Sequence, residues 1–448
     1  MNLTHTALSI SGQDALNELF NDIKPALTER QALLESARCL YCYDAPCIKA
    51  CPSDINIPSF ITQIHAHNNE GAAKVIYENN ILGGSCARVC PTEILCEESC
   101  VRNKEAECSP VLIGQLQRFA TDNARFVGHP FAREDTTGKK IAIIGAGPAG
   151  LSCAHRLALK GHEVEIFEAN QKAGGLNEYG IAKYKLTDNF AQKEVDFILG
   201  VGGITLHTNK ALGKDINLKA LTAQFDAVFL AIGLQNTRQL MLANENATGM
   251  QNAVDYIKVL RQSTDISALE IPVRAVVIGA GNTAIDIACQ LRRLGTEDVT
   301  LVYRRGEADM GATSHEQMIA RDHQVRIRTW SRPDTIITDA SGAVTAMRFR
   351  RTHIESGSLT DTEHTFDIPC EAVFKAVGQT LHTPIDDNYP LHVSSGKVEV
   401  DKHFKTNIGK VFAGGDCTQV GQDLTVEAVQ QGKLAALSIH DYLLPSSH

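Results

Sequence analysis

The chain has 448 residues, of which 43% are hydrophobic and 21% are charged, and its formal net charge is −9. This length suffices for about two to four domains with a sizeable core. The negative balance argues against a general nucleic-acid binder, which needs a basic face. The sequence has no run of about 18 apolar residues and no export signal, so it predicts a cytoplasmic protein without a membrane span.

The N-terminal part, residues 1–135, is predicted to be an all-helical domain. Two stretches carry apolar residues at the spacing of one helical face. The first comprises Leu16, Leu19, Phe20 and Ile23, and the second extends from Ile55 to Tyr77. A polar, glycine-containing run at 136–139 follows and is a good candidate for a linker.

Eight of the thirteen cysteines form two quartets within this helical part. The quartets are Cys39, Cys42, Cys47 and Cys51, and then Cys86, Cys90, Cys96 and Cys100. The spacing C-x2-C-x4-C-x3-C-P of the first quartet is similar to the iron–sulfur run of bacterial ferredoxins, with a longer middle gap. In a reducing compartment, clustered cysteines favour metal ligation over disulfides. The quartets therefore predict two [4Fe-4S] clusters, with structural zinc or a redox disulfide as the alternatives.

The spacing also predicts which cysteine binds which cluster. In two-cluster ferredoxins the fourth cysteine of such a run binds the other cluster. On this pattern, the ligands of the first cluster are Cys39, Cys42, Cys47 and Cys100. Cys51 crosses to the second cluster, where it joins Cys90 and Cys96. Spacing alone makes Cys86 the fourth ligand of that second cluster.

A first nucleotide-binding loop follows the linker. An apolar strand at Lys140–Ile144 leads into the sequence GAGPAG, whose glycines are Gly145, Gly147 and Gly150. A helix is predicted from Pro148 to Lys160, and a second strand from Glu163 to Glu168. The glycines permit a tight turn and close approach to a pyrophosphate, and Glu168 stands where a carboxylate can hold a ribose hydroxyl.

Three later segments resemble the FAD domain of flavoproteins that have two dinucleotide sites. They are Gly174-Gly175-Leu176, the apolar strand from Ala227 to Gly233, and Gly414-Gly415-Asp416, which precedes a helix predicted from Thr425 to Ala436. In that domain the late Gly-Asp pair meets the ribityl chain of the flavin. We therefore expect an FAD domain in two parts, at residues 136–233 and 376–448.

Two lysines of the first part are candidates for a position near the flavin ring. Lys183 and Lys185 lie in the run Gly180-Ile-Ala-Lys-Tyr-Lys-Leu186. A cation near the ring would stabilise reduced flavin. Lys185 is therefore the candidate catalytic residue, with a plain surface role as the alternative.

A second nucleotide loop predicts an inserted NAD(P) domain at residues 234–375. A strand at Arg274–Ile278 precedes the sequence GAGNTA, which contains Gly279, Gly281, Asn282 and Thr283. The next predicted strand ends in Arg304 and Arg305 instead of an acid. Arginine at that point can hold a 2′-phosphate, which favours NADP(H), with a solvated basic edge as the alternative. Gly378 ends the apolar segment that marks the return to the FAD domain.

The fold class is thus α/β, with a helical double-cluster domain followed by two Rossmann-like domains. This order of parts resembles the glutamate synthase small-subunit family, which includes the N-terminal part of dihydropyrimidine dehydrogenase. The similarity is carried by Cys39–Cys47, Ser59–Ile64, Cys90-Pro-Thr, Cys96 with Cys100, and Ile113–Ala120. It is stronger toward dihydropyrimidine dehydrogenase, in particular toward the separate small subunit of the bacterial enzyme.

The resemblance implies a set of ligands, cofactors and partners. In that family the second cluster has a glutamine ligand, so its set here would be Cys51, Cys90, Cys96 and Gln117, without Cys86. The resemblance implies FAD and NADH, whereas Arg304 and Arg305 favour NADPH. It also implies a heterotetramer with a subunit that carries FMN and iron–sulfur clusters and reduces uracil or thymine, since this chain has no visible pyrimidine site. The alternative is a glutamate synthase small subunit or the electron-input subunit of another reductase.

Overall fold

The computed structural model describes residues 18–104, 109–266, 269–381 and 390–444. Leu16 of the predicted first helix and Cys108 lie outside these ranges. The chain divides into two compact units. Among the described residues, the larger contains those within 24–178, 188–236 and 380–444, and the smaller contains those within 18–23, 179–187 and 237–379.

The first part of the larger unit is helical. Its α-helices are Glu29–Ser36, Pro46–Lys49, Ile57–His65, Asn69–Asn79, Gly83–Val89 and Ile113–Asn123, with short 3-10 helices at Thr92–Ile94 and Val101–Lys104. Side chains of Asn56 and Asn68 accept hydrogen bonds at the starts of the helices that follow them. The apolar face that the sequence predicts becomes core, because Phe60, Ile61 and Ile64 are buried.

The second part of the larger unit is a parallel five-stranded sheet with helices. The strands, in sheet order, are Val411–Ala413, Ala227–Leu230, Lys140–Ile144, Glu163–Phe167 and Ile204–His207. The helices are Pro148–Leu159, Phe190–Leu199, Leu218–Gln224 and Thr425–Leu443, and a short helix at Leu176–Tyr179 crosses the boundary between the units. A small antiparallel pair, Val393–Ser394 with Lys397–Val398, completes it. The βαβ unit predicted at the first glycine loop is therefore present.

The helical part and this sheet share one hydrophobic core. Buried side chains of the helix Ile57–His65 belong to the same cluster as those of the strand Lys140–Ile144 and of the last helix. That last helix packs closely on the helix Pro148–Leu159, since a Cβ at Gly432 would lie 2.1 Å from the carbonyl oxygen of Ala149. The cysteine segment and the first glycine loop are thus parts of one compact unit, whereas the sequence boundaries at 135 and 233 remain predictions.

The smaller unit contains the second parallel sheet. Its strands, in sheet order, are Met250–Asn252, Ala372–Lys375, Arg274–Ile278, Asp298–Val302 and Arg326–Arg328. The helices are Ala253–Gln262, Asn282–Leu294 and Ser314–Asp322, with a 3-10 helix at Glu307–Asp309. A three-stranded antiparallel sheet is formed by Ser331–Thr338, Val344–Glu355 and Ser358–Pro369. The chain passes between the two units in the short strands Asn236–Thr237 and Gln379–Thr380.

The architecture is mixed α/β with two Rossmann-like sheets, as the sequence predicts. Across the residues that the structure describes, no helix is long and apolar enough to cross a membrane.

Candidate cofactor sites

Four cysteine thiols line one cavity in the helical part. Cys39, Cys42, Cys47 and Cys100 share it with apolar side chains that include Ile57, Ile61, Val111 and Ile113. Burial and the neighbouring thiols of Cys39 and Cys100 raise the pKa of Cys47 to about 11. Crowded thiols of this kind require bound cations to stay ionised. This group has the composition that the ferredoxin-like spacing predicts for the first cluster.

A second group of thiols consists of Cys51 and Cys86, which are buried, and Cys90 and Cys96, which are half-buried. Cys51 accepts hydrogen bonds from the backbone N–H groups of Ser53 and Ile55. A hydrogen bond with the Cys86 thiol, together with burial, raises the pKa of Cys90. Burial raises the pKa of Cys96 as well, and Cys51 and Cys47 act in the same direction. Cys51 of the first quartet therefore lies among thiols of the second. That it binds the second cluster stays a prediction.

The thiols are not arranged around a single point. Within the described ranges, no three His, Cys, Asp or Glu side chains are close enough to hold one metal ion between them. The first group instead lines a cavity. The ligands of an iron–sulfur cluster bind separate corners of the cluster, so they do not need to converge on one ion.

Gln117 and Cys86 are the two candidates for the fourth ligand of the second cluster. Gln117 is 7% exposed and lies on the helix Ile113–Asn123. Its Nε2 donates a hydrogen bond of 2.7 Å to the carbonyl oxygen of Gly83, at the start of the helix that carries Cys86. The amide is thereby oriented, while the Cys86 thiol contacts Cys90. The choice between these two as the fourth ligand stays a prediction.

The first glycine loop leaves room for a pyrophosphate where it is needed. A Cβ at Gly150 would lie 2.0 Å from the carbonyl oxygen of Gly145, and one at Gly145 would lie 2.3 Å from that of Ala231. These two glycines are therefore required for packing. A Cβ at Gly147 would meet only the Cα of Gly175, at 3.7 Å. The open side of Gly147 fits a dinucleotide whose phosphates approach the backbone.

Glu168 is buried at the end of the second strand. Its Oε2 accepts a hydrogen bond of 2.8 Å from the N–H of Ala146, within the glycine loop. Its Oε1 accepts bonds of 2.8 Å from the backbone and side-chain nitrogens of Asn170. The carboxylate therefore fixes the loop, and its remaining lone pairs are available to a ribose hydroxyl.

The other residues predicted for FAD belong to the same unit. Gly175 packs on the first loop, since its Cβ would lie 2.6 Å from the Cα of Gly147, and Leu176 beside it is exposed. Gly233 has φ +61°, and a Cβ there would meet no atom of the described residues within 4 Å. The N–H of Gly415 donates a hydrogen bond of 2.8 Å to Gln431 Oε1. The hydroxyl of Thr425 donates one of 3.3 Å to Asn177 Oδ1.

Asp416 follows Gly415 and is half-buried. Burial and the nearby carboxylate of Asp423 raise its pKa to about 6, against the opposing effect of Lys397. A carboxyl at this point can accept or donate a hydrogen bond near neutral pH. That property fits a partner with hydroxyl groups, such as a ribityl chain.

The second glycine loop, in the smaller unit, has the same geometry as the loop at Gly145. Gly279 has φ +142°, and its Cβ would lie 2.2 Å from the carbonyl oxygen of Ala376. A Cβ at Gly281 would lie more than 4 Å from every atom in the part of the chain that the structure describes. Asn282 and Thr283 open the helix Asn282–Leu294, whose first N–H groups have no side-chain cap. The loop thus fits a second dinucleotide.

Arg304 and Arg305 follow the strand Asp298–Val302. Their carbonyl oxygens accept hydrogen bonds from Thr352 Oγ1 at 2.7 Å and from the N–H of Trp330 at 3.0 Å. Their backbone is therefore fixed at the edge where a 2′-phosphate would lie. Gly378, predicted for cofactor binding, also lies in this smaller unit, with φ +94°.

Lys185 has contacts that differ from the sequence expectation. Its Nζ lies 2.7 Å from Asp286 and 2.7 Å from Glu316, and all three residues belong to the smaller unit. Burial alone would lower the pKa of Lys185, but these carboxylates outweigh burial and raise it. These contacts favour a buried structural ion pair over the catalytic role near the flavin that its sequence context suggests.

Two buried charged residues lie near the second thiol group, and no sequence pattern predicts their positions there. Glu194 accepts hydrogen bonds from the N–H groups of Gly84 and Ser85, at 2.9 and 3.0 Å. Lys433 Nζ donates a 3.1 Å hydrogen bond to the carbonyl oxygen of Ser53. Both lie in helices whose patterns predict only amphipathic packing, so only the three-dimensional arrangement reveals them.

Family models match both the nucleotide-binding part and the cysteine-containing part of the chain. Residues 139–432 match the family described as pyridine nucleotide-disulphide oxidoreductase. The chain belongs to this family. Residues 16–128 match the domain described as dihydropyrimidine dehydrogenase domain II with a 4Fe-4S cluster. The protein is therefore an oxidoreductase with a nucleotide-binding part and an iron–sulfur part.

Two curated proteins are similar over almost the whole chain. The NAD-dependent dihydropyrimidine dehydrogenase subunit PreT of Escherichia coli O157:H7 is 36% identical over 425 residues, which are 94% of this chain and 97% of that protein. The glutamate synthase [NADPH] small chain of Escherichia coli K12 is 31% identical, over 95% of this chain and 94% of that protein. The chain belongs to the family that these two proteins share.

A solved structure supports the fold of the nucleotide-binding part. FprA from Mycobacterium tuberculosis, in a His57Gln mutant form, superimposes with a TM-score of 0.58 at 20% identity. The match covers 67% of this chain and 84% of that one.

Proposed function

We propose that this chain is the electron-input subunit of an NAD-dependent dihydropyrimidine dehydrogenase. In this proposal NADH binds at the Gly279 loop, FAD binds at the Gly145 loop, and two [4Fe-4S] clusters bind at the two thiol groups. The electrons pass to a partner subunit with FMN and iron–sulfur clusters, which reduces uracil or thymine to the dihydro form. The partner and chain would form a heterotetramer.

One observation carries the proposal. Two separate groups of cysteine thiols occur in the same compact unit as the glycine loop that fits FAD. FAD, when bound, converts the two-electron chemistry of a nicotinamide into single electrons that iron–sulfur clusters accept. A dehydrogenase that acts on a small substrate by itself would not need these thiols. The 36% identity to the subunit PreT favours dihydropyrimidine dehydrogenase among the reductases that use such an input.

The residues of the chain have distinct tasks in this proposal. Gly147 and Gly281 keep the backbone open to pyrophosphates, and Glu168 fixes the first loop. Asp416 contributes a carboxyl that can exchange hydrogen bonds with hydroxyl groups. The thiols at Cys39, Cys42, Cys47 and Cys100 hold one cluster, and those at Cys51, Cys90 and Cys96 hold the other, with Gln117 as the fourth ligand.

Two features give opposite indications about the nucleotide. The name of the similar subunit PreT favours NADH, while Arg304 and Arg305 could hold the 2′-phosphate of NADPH. We propose NADH. The test is the reduction of an artificial electron acceptor by the purified chain with each nucleotide. A higher kcat/KM with NADH is expected, and a large preference for NADPH would contradict the choice.

A second candidate is the small subunit of a glutamate synthase, favoured by 31% identity over 95% of the chain. The two candidates differ in the partner that accepts the electrons. Purification of the tagged chain from its source should recover an FMN-containing subunit for dihydropyrimidine dehydrogenase. Recovery of a large amidotransferase subunit instead would favour glutamate synthesis.

A further inference from the structure

The last helix of the larger unit brings a buried lysine to the turn that follows Cys51. Lys433 lies on the helix Thr425–Leu443 and is 9% exposed. Its Nζ donates hydrogen bonds to the carbonyl oxygen of Ser53 at 3.1 Å and to Asn79 Oδ1 at 3.4 Å. Burying an ammonium group is costly unless its environment compensates for the lost hydration.

The turn that Lys433 contacts is itself shaped around the Cys51 sulfur. The N–H groups of Ser53 and Ile55 point to that sulfur. Ser53 is fully buried, and its Oγ accepts a hydrogen bond of 3.3 Å from the side chain of Asn80. Lys433 therefore contacts the buried turn whose amides face Cys51, a predicted cluster ligand.

The two neutral acceptors do not balance the charge of Lys433. Burial lowers the pKa of Lys433 to about 8, with Arg156 acting in the same direction and Asp54 and Cys51 acting against it. The lysine is thus still mostly protonated at neutral pH. A second cluster bound by thiolates would bring negative charge to the side of the turn opposite Lys433.

The helix that carries Lys433 begins near the predicted flavin site and reaches the Cys51 turn. It begins at Thr425, directly after the segment that contains Asp416, and Lys433 lies about two turns later. Gly432, next to Lys433, allows the helix to approach the carbonyl oxygen of Ala149 in the helix after the first glycine loop. One element thus connects the predicted flavin site to the Cys51 turn.

From this arrangement we propose that Lys433 is a positioning residue that raises the reduction potential of the second cluster. Reduction adds one negative charge to a cluster, and a fixed cation nearby stabilises the reduced form more than the oxidised form. Because the cation is buried, solvent screens it less than a surface charge. The inference depends on the proposed function only in that it requires an iron–sulfur cluster at Cys51.

The test compares three variants at this position by redox titration followed with electron paramagnetic resonance. Lys433→Gln retains a hydrogen-bond donor without the charge, Lys433→Met removes both, and Lys433→Arg retains the charge. Lys402→Met, at an exposed lysine of the same unit, is the matched control. The iron content and the flavin content of every variant are measured.

We expect Lys433→Gln to lower the midpoint potential of one cluster by about 59 mV, which is a tenfold change in the one-electron equilibrium. Lys433→Arg and the Lys402 control should keep the wild-type value, and the other cluster should not shift. An unchanged potential in iron-replete Lys433→Gln would overturn the inference, as would equal shifts in Lys433→Gln and Lys433→Arg. If Lys433→Met loses iron while Lys433→Gln retains it, the inference is judged from the midpoint potential of Lys433→Gln alone. Wild-type protein without iron would instead refute the proposed function.

Discussion

Lys185 and Asp286 form an ion pair of 2.7 Å in the interior of the smaller unit, and Glu316 lies at the same distance from Lys185. Asp286 also accepts a hydrogen bond from the N–H of Ala182. The segment 179–187 is thereby attached to the helix Asn282–Leu294 that follows the second glycine loop.

Replacement of Lys185 by methionine should destabilise the protein without a specific effect on catalysis. It leaves two buried carboxylates without a cation, which costs about 3–5 kcal/mol for a buried pair. Thermal unfolding should shift to lower temperature, while kcat for electron transfer from NADH to a dye stays near the wild-type value below the transition. Lys258→Met, at an exposed lysine, is the control. A large fall in kcat at unchanged stability would restore the catalytic role expected from the sequence.

Replacement by alanine should have different effects at the two glycines of the second loop. Gly281→Ala should fold normally, because its Cβ would meet nothing within 4 Å, but the added methyl group would occupy the space open to a pyrophosphate. We expect at least a tenfold increase in the KM for NADH. Gly279→Ala should instead reduce stability, because its Cβ would lie 2.2 Å from a backbone oxygen at φ +142°. Normal NADH kinetics in Gly281→Ala would show that the dinucleotide does not approach there.

The fourth ligand of the second cluster can be identified by iron content and cluster spectra. Gln117→Leu should alter one cluster, because it removes the amide that the family resemblance makes a ligand. Cys86→Ser should leave two clusters of unchanged spectra, because Cys86 would contribute only its contact with Cys90. The reverse result, an altered cluster in Cys86→Ser and an unaltered one in Gln117→Leu, would assign the site to Cys86.

His155 should make the larger unit sensitive to acid. Burial, with smaller effects of His129 and Arg156, lowers its pKa to about 3, and its Nε2 has no hydrogen-bond partner among the described residues. The ordinary pKa of histidine is about 6.5, so the unfolded chain takes up a proton at a higher pH than the folded chain. His155 therefore contributes stability above that pH, and this contribution is lost progressively as the pH falls toward 3.

The effect of His155 can be measured by urea unfolding at pH 7.5 and 5.5. Linkage gives a loss of about 1 kcal/mol from this residue between the two values. His155→Phe should remove that part of the loss, whereas His403→Phe, at an exposed histidine, should not. Identical pH dependence in wild type and His155→Phe would show that folding does not lower the pKa of His155.

The regular elements around both glycine loops follow from local sequence. The strands Lys140–Ile144 and Arg274–Ile278 agree with the apolar runs that precede the glycines. The last helix was expected to end at Ala436 but continues to Leu443, because Ile439 also packs in the core. Short-range patterns such as these are set by burial and turn chemistry, which a single sequence displays.

The contacts of single charged residues do not follow from local sequence. Lys185 is separated from Asp286 by 101 positions in the chain, and Glu194 from Gly84 by 110. Their pairing depends on the packing of helices whose own patterns record only which face is apolar. For the same reason, the spacing of the cysteines, which alone makes Cys86 the fourth ligand of the second cluster, carries no signal for Gln117.

The most direct test of the proposed function is NADH oxidation by the chain together with its partner subunit. The tagged chain is purified with the FMN-containing protein that accompanies it, and NADH consumption is followed with and without uracil. The account predicts NADH oxidation that requires uracil and both subunits and that yields dihydrouracil. NADH oxidation that is independent of uracil and instead requires glutamine and 2-oxoglutarate, with formation of two molecules of glutamate, would contradict it.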